Sequence, residues 1–432
     1  MSSILIISQG RVAMLHATTA LAARLVEAGH SVIYASPDQV ASRVSAAGLP
    51  YQQLAPNGLS DHDPGIEDLS VSDLPEIVDQ IEPDLLLIDI ELHAHVLTCI
   101  PLGVPIGLLS PFISIVKRRG LPPLHSSVVP GRGWRGSMPY AEWLWARFRF
   151  RKLLQLWLDR LRSAGQDQVS LLKSLAAAQG IQWNAEITAW QWLIPFSYRR
   201  LPVLSLTASE LDFSLDTVSG TRYCGAMIER QRPEEIISAD TRSRLDSLYE
   251  NRRSGSSSAL IVCSLSTFFA ADSGFVSRIV EAVAGQPDWD LVLTSGGSLD
   301  VDALGPLPDN IHAFAWIPQM EVLGHSDCAV INAGTSVFEC ILEGVPMVVY
   351  SLQFNDQNGT AARVAYHGLG IVGDKDRDDA VTIRSHIRQL LLDQTHRRRV
   401  EAMRADLAAY DAEGRAVRAV ENLIARTIDG SR

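Results

Sequence analysis

Short apolar runs bounded by turn residues recur along both halves of the chain. Ile4 to Ser8 reads as a strand buried on both faces. A turn at Gln9-Gly10 follows. From about Ala17 to Ala28, the residues Ala20, Leu21, Ala22, Leu25 and Val26 recur at helical spacing. Gly29 stops that helix, and Ser31 to Ala35 reads as the next strand. Strand, helix, strand predicts a parallel sheet with a right-handed crossover. Leu85 to Ile90 and Val104 to Ser110 add buried strands, the first closing at Asp89.

The pattern changes from about Pro111 to Arg200. Pro122-Pro123 and a Gly/Arg/Trp-rich piece, Gly131 to Gly136, precede an aromatic and basic helical stretch, Tyr140 to Arg162. Val203 to Leu206 and Tyr223-Cys224-Gly225 return to strand and turn. Arg230 to Ser258 is polar and charged and reads as an interdomain connection. A second alternation then begins. Ile261 to Leu265, Leu291 to Thr294, His312 to Phe314, Cys328 to Ile331 and Val345 to Tyr350 read as strands, with a helix at Phe275 to Ala284. Helical segments follow at Ile383 to Asp393, His396 to Tyr410 and, past Gly414, Arg415 to Ile428.

The expected class is therefore α/β, with two Rossmann-like domains facing a cleft. The expected boundaries are 1–228 for the first domain, 229–258 for a linker and 259–410 for the second domain. Residues 411–432 are expected to form a helix packing back on the first domain. Ligands of such sheets bind at the carboxyl ends of strands.

A length of 432 residues suits two or three domains, and 47% hydrophobic with 20% charged residues is ordinary globular composition. The formal net charge of −11 argues against nucleic acid as a partner. Cys99, Cys224, Cys263, Cys328 and Cys340 have no metal-ligand spacing, and their odd number fits a reducing compartment. No basic region precedes the first strand, and no uncharged apolar run is long enough to span a bilayer. The expected location is cytoplasmic.

The stretch Trp316 to Gln357 carries the chemistry. Trp316, followed by Pro318-Gln319 at a strand end, offers a flat face for a base, with the Gln319 amide at the ring edge. Gly334-Thr335-Ser336 opens a helix whose free N–H groups suit a diphosphate. Glu339, one turn on, can accept both ribose hydroxyls, and Asp356-Gln357 pairs an acceptor with a donor, as a hexose requires. Each has a plainer reading: a core tryptophan, a helix cap, a solvated glutamate, a turn.

The run W-x-P-Q, G-x-S-x-x-E, G-V-P-M and D-Q resembles the donor signature of UDP-dependent glycosyltransferases of the GT-B type. Asp356 to Val364 and Tyr366 to Gly370 resemble its continuation in bacterial members. Cys263 to Thr267 resembles the element that opens the C-terminal domain. The likeness is weakest between Pro111 and Arg200. It implies that Trp316 and Gln319 hold the base, Glu339 the ribose, Ser336 and its helix the diphosphate, and Asp356 and Gln357 the sugar. Asn332, Gly334, Thr335, Ser266 and Thr267 would line the same donor site. The implied reaction is inverting transfer of a sugar from a nucleoside diphosphate, UDP or alternatively dTDP, with no metal and no cofactor.

Two positions depart from the family pattern. Where the family carries its basic histidine, this chain has Met14, whose thioether takes no proton. Asp89 matches the partner aspartate, and His16, Glu91 and His93 are further candidates for proton transfer, with His95 close by. The family's histidine and two glycines at the diphosphate correspond to Asn332-Ala333-Gly334, one residue short before Ser336. One reading is an active hexosyltransferase with a different base, suited to an acidic acceptor such as a phenol or carboxylate. The alternative is a catalytically degenerate GT-B protein acting as a nucleotide-binding or accessory subunit; an epimerase of related architecture is a third. Tyr140 to Arg162 reads either as a buried helix with snorkelling arginines or as an amphipathic surface meeting a membrane peripherally. Both predict a hydrophobic acceptor.

Overall fold

The computed structural model describes residues 1–10, 12–37, 40–54, 71–113, 115–188, 196–213, 221–229, 232, 237–255, 259–265, 272–294, 306–351 and 356–430. The chain divides into two compact units. The first comprises Met1–Pro123, Ser137–Glu229 and Tyr410–Arg432; the second comprises Leu124–Gly136 and Arg230–Ala409.

The first unit is built on strands β1 (Ser3–Ile7), β2 (Ser31–Ser36), β3 (Tyr51–Gln53), β4 (Leu85–Asp89), β5 (Ile106–Ser110), β6 (Ile187–Thr188), β7 (Ser197–Tyr198), β8 (Val203–Ser205) and β9 (Thr221–Tyr223). Seven of them form one sheet in the order β3-β2-β1-β4-β5-β8-β9, while β6 and β7 pair apart from it. The pairs of the larger sheet are parallel. Both faces must then be covered, which is why β4 and β5 are wholly buried apolar strands with one polar terminus each. Helix α1 (Val12–Glu27) covers one face through Met14, Leu15, Leu21, Ala22 and Leu25. It starts earlier than the apolar spacing predicts. Thr18 and Thr19 fit inside it because their hydroxyls donate back to the carbonyls of Met14 and Leu15, at 2.8 Å each.

The C-terminal helix, Arg415–Gly430, belongs to this unit and sinks Ala416, Val420 and Leu423 into the same core. Gly107 on β5 makes room for it: a Cβ there would stand 2.8 Å from Leu423 Cδ1.

In the second unit, strands β10 (Ala259–Ser264), β11 (Trp289–Thr294), β12 (Ile311–Phe314), β13 (Cys328–Asn332), β14 (Met347–Tyr350) and β15 (Gly370–Val372) form a parallel sheet in the order β12-β11-β10-β13-β14-β15. This is the doubly wound order, reversing direction at β10 and β13. Ile279, Ile383, Ile387 and Leu390, from the flanking helices, complete its core.

Two stretches differ from the sequence expectation. The polar segment read as a linker contains a helix, Ala239–Arg253, capped by Ser238, whose Oγ accepts from Thr241 N at 3.1 Å. Leu245, Leu248 and Tyr249 give it a narrow buried stripe that its charged surroundings mask. Residues 124–136, read as part of the first domain, group with the second unit. Their Leu124 backbone lies against the helix Gln357–His367, at Gly359.

Candidate functional site

The carboxyl ends of β10 and β13 meet at the point where the strand order reverses, so side chains just beyond them converge. Ser264, the last residue of β10, donates from Oγ to Gln319 Oε1 at 2.8 Å. Gln319 opens the helix Gln319–Gly324 and turns its Nε2 to Glu339 Oε2. Glu339 lies in the first turn of the helix Ser336–Glu343 and is only 4% exposed. Its other oxygen, Oε1, accepts from Arg232 Nη2 in an ion pair. Three elements and one preceding arginine thus hold a buried carboxylate by charge and by hydrogen bonds, as burial requires.

Three residues before Gln319, Trp316 is 45% exposed, although neighbouring Ile317 is buried. An indole left half in solvent is available for stacking. Asn332 ends β13, and Gly334 N donates to its carbonyl at 2.8 Å. A Cβ on Gly334 would press on Asn332 Nδ2 at 3.0 Å, so glycine keeps that amide in place. Thr335 and Ser336 then begin the helix with no side-chain cap, while Val337 N and Phe338 N donate to the Gly334 and Thr335 carbonyls at 3.2 and 2.9 Å. Asp356 and Gln357 sit partly buried at the start of the helix Gln357–His367. Ser266 and Thr267 lie outside the described residues.

Gln319 and Glu339 are therefore joined directly. Asn332 and Ser336 belong to the adjacent β13-to-helix turn. Arg232 and Ser264 were not singled out from the sequence. Arg232 sits in a polar stretch that reads as a connection. Ser264 could have been found from its place at the end of the strand nearest the switch point.

The candidates for proton transfer all belong to the other unit. Asp89 ends β4, is buried, and accepts from Glu91 N at 3.1 Å. Glu91 is partly buried. Met14 and His16 both lie within α1, two residues apart and so on different sides of it. Met14 is 4% exposed in the core, and His16 is partly buried. His93 lies in an aromatic nest, its ring 4.2 Å from that of Phe196 and its Nδ1 3.3 Å from Tyr198 Oη. Tyr198 Oη also donates to the His93 carbonyl at 3.3 Å, so its oxygen accepts from Nδ1–H and the lone pair sits on Nε2. Burial, then the Lys152 charge, lowers the His93 pKa to about 3. Burial lowers that of His95 to about 4, with Asp73 opposing. Both are neutral near pH 7 and weak bases. The five cysteines are free and buried, and burial pushes the Cys99 and Cys224 thiols up to about 12.

Residues 278–423 match the family described as erythromycin biosynthesis protein CIII-like, C-terminal domain. Among curated proteins, the chain is 30% identical over 166 residues to demethyllactenocin mycarosyltransferase of Streptomyces fradiae. It is 28% identical over 173 residues to oleandomycin glycosyltransferase of Streptomyces antibioticus. These matches cover 38% and 39% of this chain but only 36% and 40% of the respective relatives. The glycosyltransferase of kitacinnamycin superposes with a TM-score of 0.72 at 23% identity, covering 99% of both chains. The glycosyltransferase VinC, solved with dTDP, superposes at 0.64 and 17% identity, covering 99% of this chain and 100% of that one. The chain has the two-unit α/β fold of GT-B glycosyltransferases, and its likeness to the family 1 type extends from motifs to sequence relatives.

Proposed function

We propose that the chain is an inverting glycosyltransferase moving a sugar from a UDP- or dTDP-sugar to a hydrophobic acceptor. The observation that carries this reading is the Ser264–Gln319–Glu339–Arg232 network, with the half-exposed Trp316 three residues before Gln319. The base stacks on Trp316. A carboxylate offers about four lone-pair sites, so Glu339 can take ribose hydroxyls in addition to its Arg232 and Gln319 donors. The diphosphate sits at the start of the helix Ser336–Glu343, and the sugar meets Asp356 and Gln357. As the acceptor oxygen bonds to the anomeric carbon, the bond from that carbon to the diphosphate oxygen breaks. The helix N-terminus, Ser336 and the Asn332 amide stabilise the charge that develops on the departing diphosphate. The acceptor proton goes to Asp89, Glu91, His16 or His93. Burial makes His93 the weakest of these, and an acidic acceptor asks least of the base. VinC was solved with dTDP, and the named relatives are glycosyltransferases of antibiotic structures; both support the donor class.

The buried Met14 at the histidine position favours the second reading, an accessory protein that binds nucleotide without transferring sugar. Incubation with UDP- and dTDP-sugars and a panel of phenols, carboxylic acids and alcohols, read by mass spectrometry, separates the two. A glycosylated acceptor is expected. Its formation should be lost in Asp89→Asn while UDP affinity and Tm hold. Tight UDP binding with no transfer from any donor would establish the accessory reading instead.

A further inference from the structure

The long helix Met138–Arg162 in the first unit carries its greasiest residues on the outside. Trp143, Phe150, Leu154, Trp157 and Leu161 are spaced by 7, 4, 3 and 4 residues, which puts them on one face of an α-helix. All five are exposed, Phe150 at 68% and Trp157 at 57%, and Leu153 borders them. Ala141 and Trp145, on the opposite face, are buried, with Trp145 Nε1 donating to the Leu121 carbonyl at 2.9 Å. The outer stripe runs about 27 Å along the axis. The expectation of a buried helix with snorkelling arginines is therefore corrected: the inner face is already satisfied, and the apolar excess faces outward.

Charge identifies what covers it. The helix has six basic and two acidic residues in a protein of net charge −11. Glu142 is engaged by Lys117, and Asp159 lies 4.0 Å from Arg162. Arg147, Arg151, Arg160 and Arg162 are exposed and flank the stripe. A symmetry-related copy of the same helix would set arginine against arginine. An anionic bilayer meets both features, since tryptophan and leucine enter the headgroup boundary while arginines pair with lipid phosphates.

We propose that the outer face of Met138–Arg162 docks the protein on anionic lipid surfaces. This does not depend on the transferase reading. The test is flotation of the full-length protein with phosphatidylcholine vesicles, with and without phosphatidylglycerol, monitored also by tryptophan emission. Binding is expected with phosphatidylglycerol only, with a blue shift from Trp143 and Trp157, and should weaken in high salt. Each basic residue at such a surface accounts for roughly fivefold in partitioning. Hence Arg147→Gln, Arg151→Gln and Arg160→Gln combined should cut binding about a hundredfold or more. Phe150→Glu with Trp157→Glu should abolish it. These side chains are exposed, so Tm should hold. The wild-type comparison of the two vesicle types stands whatever the variants do. Failure of the wild type to float with phosphatidylglycerol vesicles overturns the proposal. So does a concentration-dependent dimer that the Phe150→Glu, Trp157→Glu variant disrupts, because a second copy then covers the face.

Discussion

Burial moves His93 and His95 far below ordinary histidine ionisation, and the consequence is acid sensitivity. Both are buried and neutral when folded, with pKa values of about 3 and about 4 against an ordinary 6.5. The unfolded chain binds protons at these sites first. The stability they contribute is therefore complete above pH 6.5 and is lost as pH falls through the acid range towards those folded values. Near pH 5 the loss amounts to about 1–2 kcal/mol per histidine. His95→Leu keeps the site apolar and removes one of these terms. Melting curves at several pH values should show Tm falling less steeply below pH 6.5 in His95→Leu than in the wild type. Parallel curves would mean that solvent reaches His95 in the folded protein. The same burial weakens His93 and His95 as bases despite their closeness to Asp89 along the chain. His93 and His95 follow Asp89 closely along the chain, yet the chain turns them into an aromatic nest and a helix interior.

At the scale of elements, the helix Gln357–His367 decides where Asp356 and Gln357 stand. Gly359 is buried in its first turn, and a Cβ there would lie 1.9 Å from the Leu124 carbonyl oxygen. Asn358 Nδ2 donates to the His125 carbonyl at 3.2 Å and fixes the same approach. Helix propensity alone says that Gly359→Ala should stabilise by about 0.5–1 kcal/mol. The carbonyl contact says the reverse, because one backbone must move. Overpacking of this kind costs about 1–3 kcal/mol, so Gly359→Ala should lower Tm. A raised Tm would show that residues 124–136 yield without cost.

The sequence shows Gly359 within the stretch that resembles the signature's continuation, but not its partner. The contact joins residues more than two hundred positions apart, across a Pro- and Gly-rich stretch that reads as loop. The strands were legible because burial on both faces leaves continuous apolar runs, as in Leu85–Asp89 and Cys328–Asn332. Helix Ala239–Arg253 was hidden because only Leu245, Leu248 and Tyr249 mark its buried side. The start of α1 was hidden because the apolar residues that mark its helical spacing begin only at Ala20, well past its first residue Val12.

For the molecule as a whole, both larger sheets reverse their strand order beside the first strand, at β1 and β4 and at β10 and β13. The motifs fall where that topology gathers side chains: Gln319 and Glu339 at the second reversal, Asp89 at the first. The resemblance located Gln319 and Glu339 but not the two residues that complete their network. Arg232 and Ser264 join it through tertiary contacts.

The central claim is that this network and Trp316 form a nucleoside diphosphate site. Calorimetric titration of UDP and dTDP into the wild type and Trp316→Ala tests it most directly. Base stacking on an aromatic side chain is worth about 1–3 kcal/mol. The half-exposed Trp316 can be truncated with little effect on the fold. The wild type should bind at least one of the two nucleotides, and Trp316→Ala should bind it roughly 5- to 150-fold more weakly at unchanged Tm. No binding of either nucleotide by the wild type, or equal affinity in Trp316→Ala, would contradict the account.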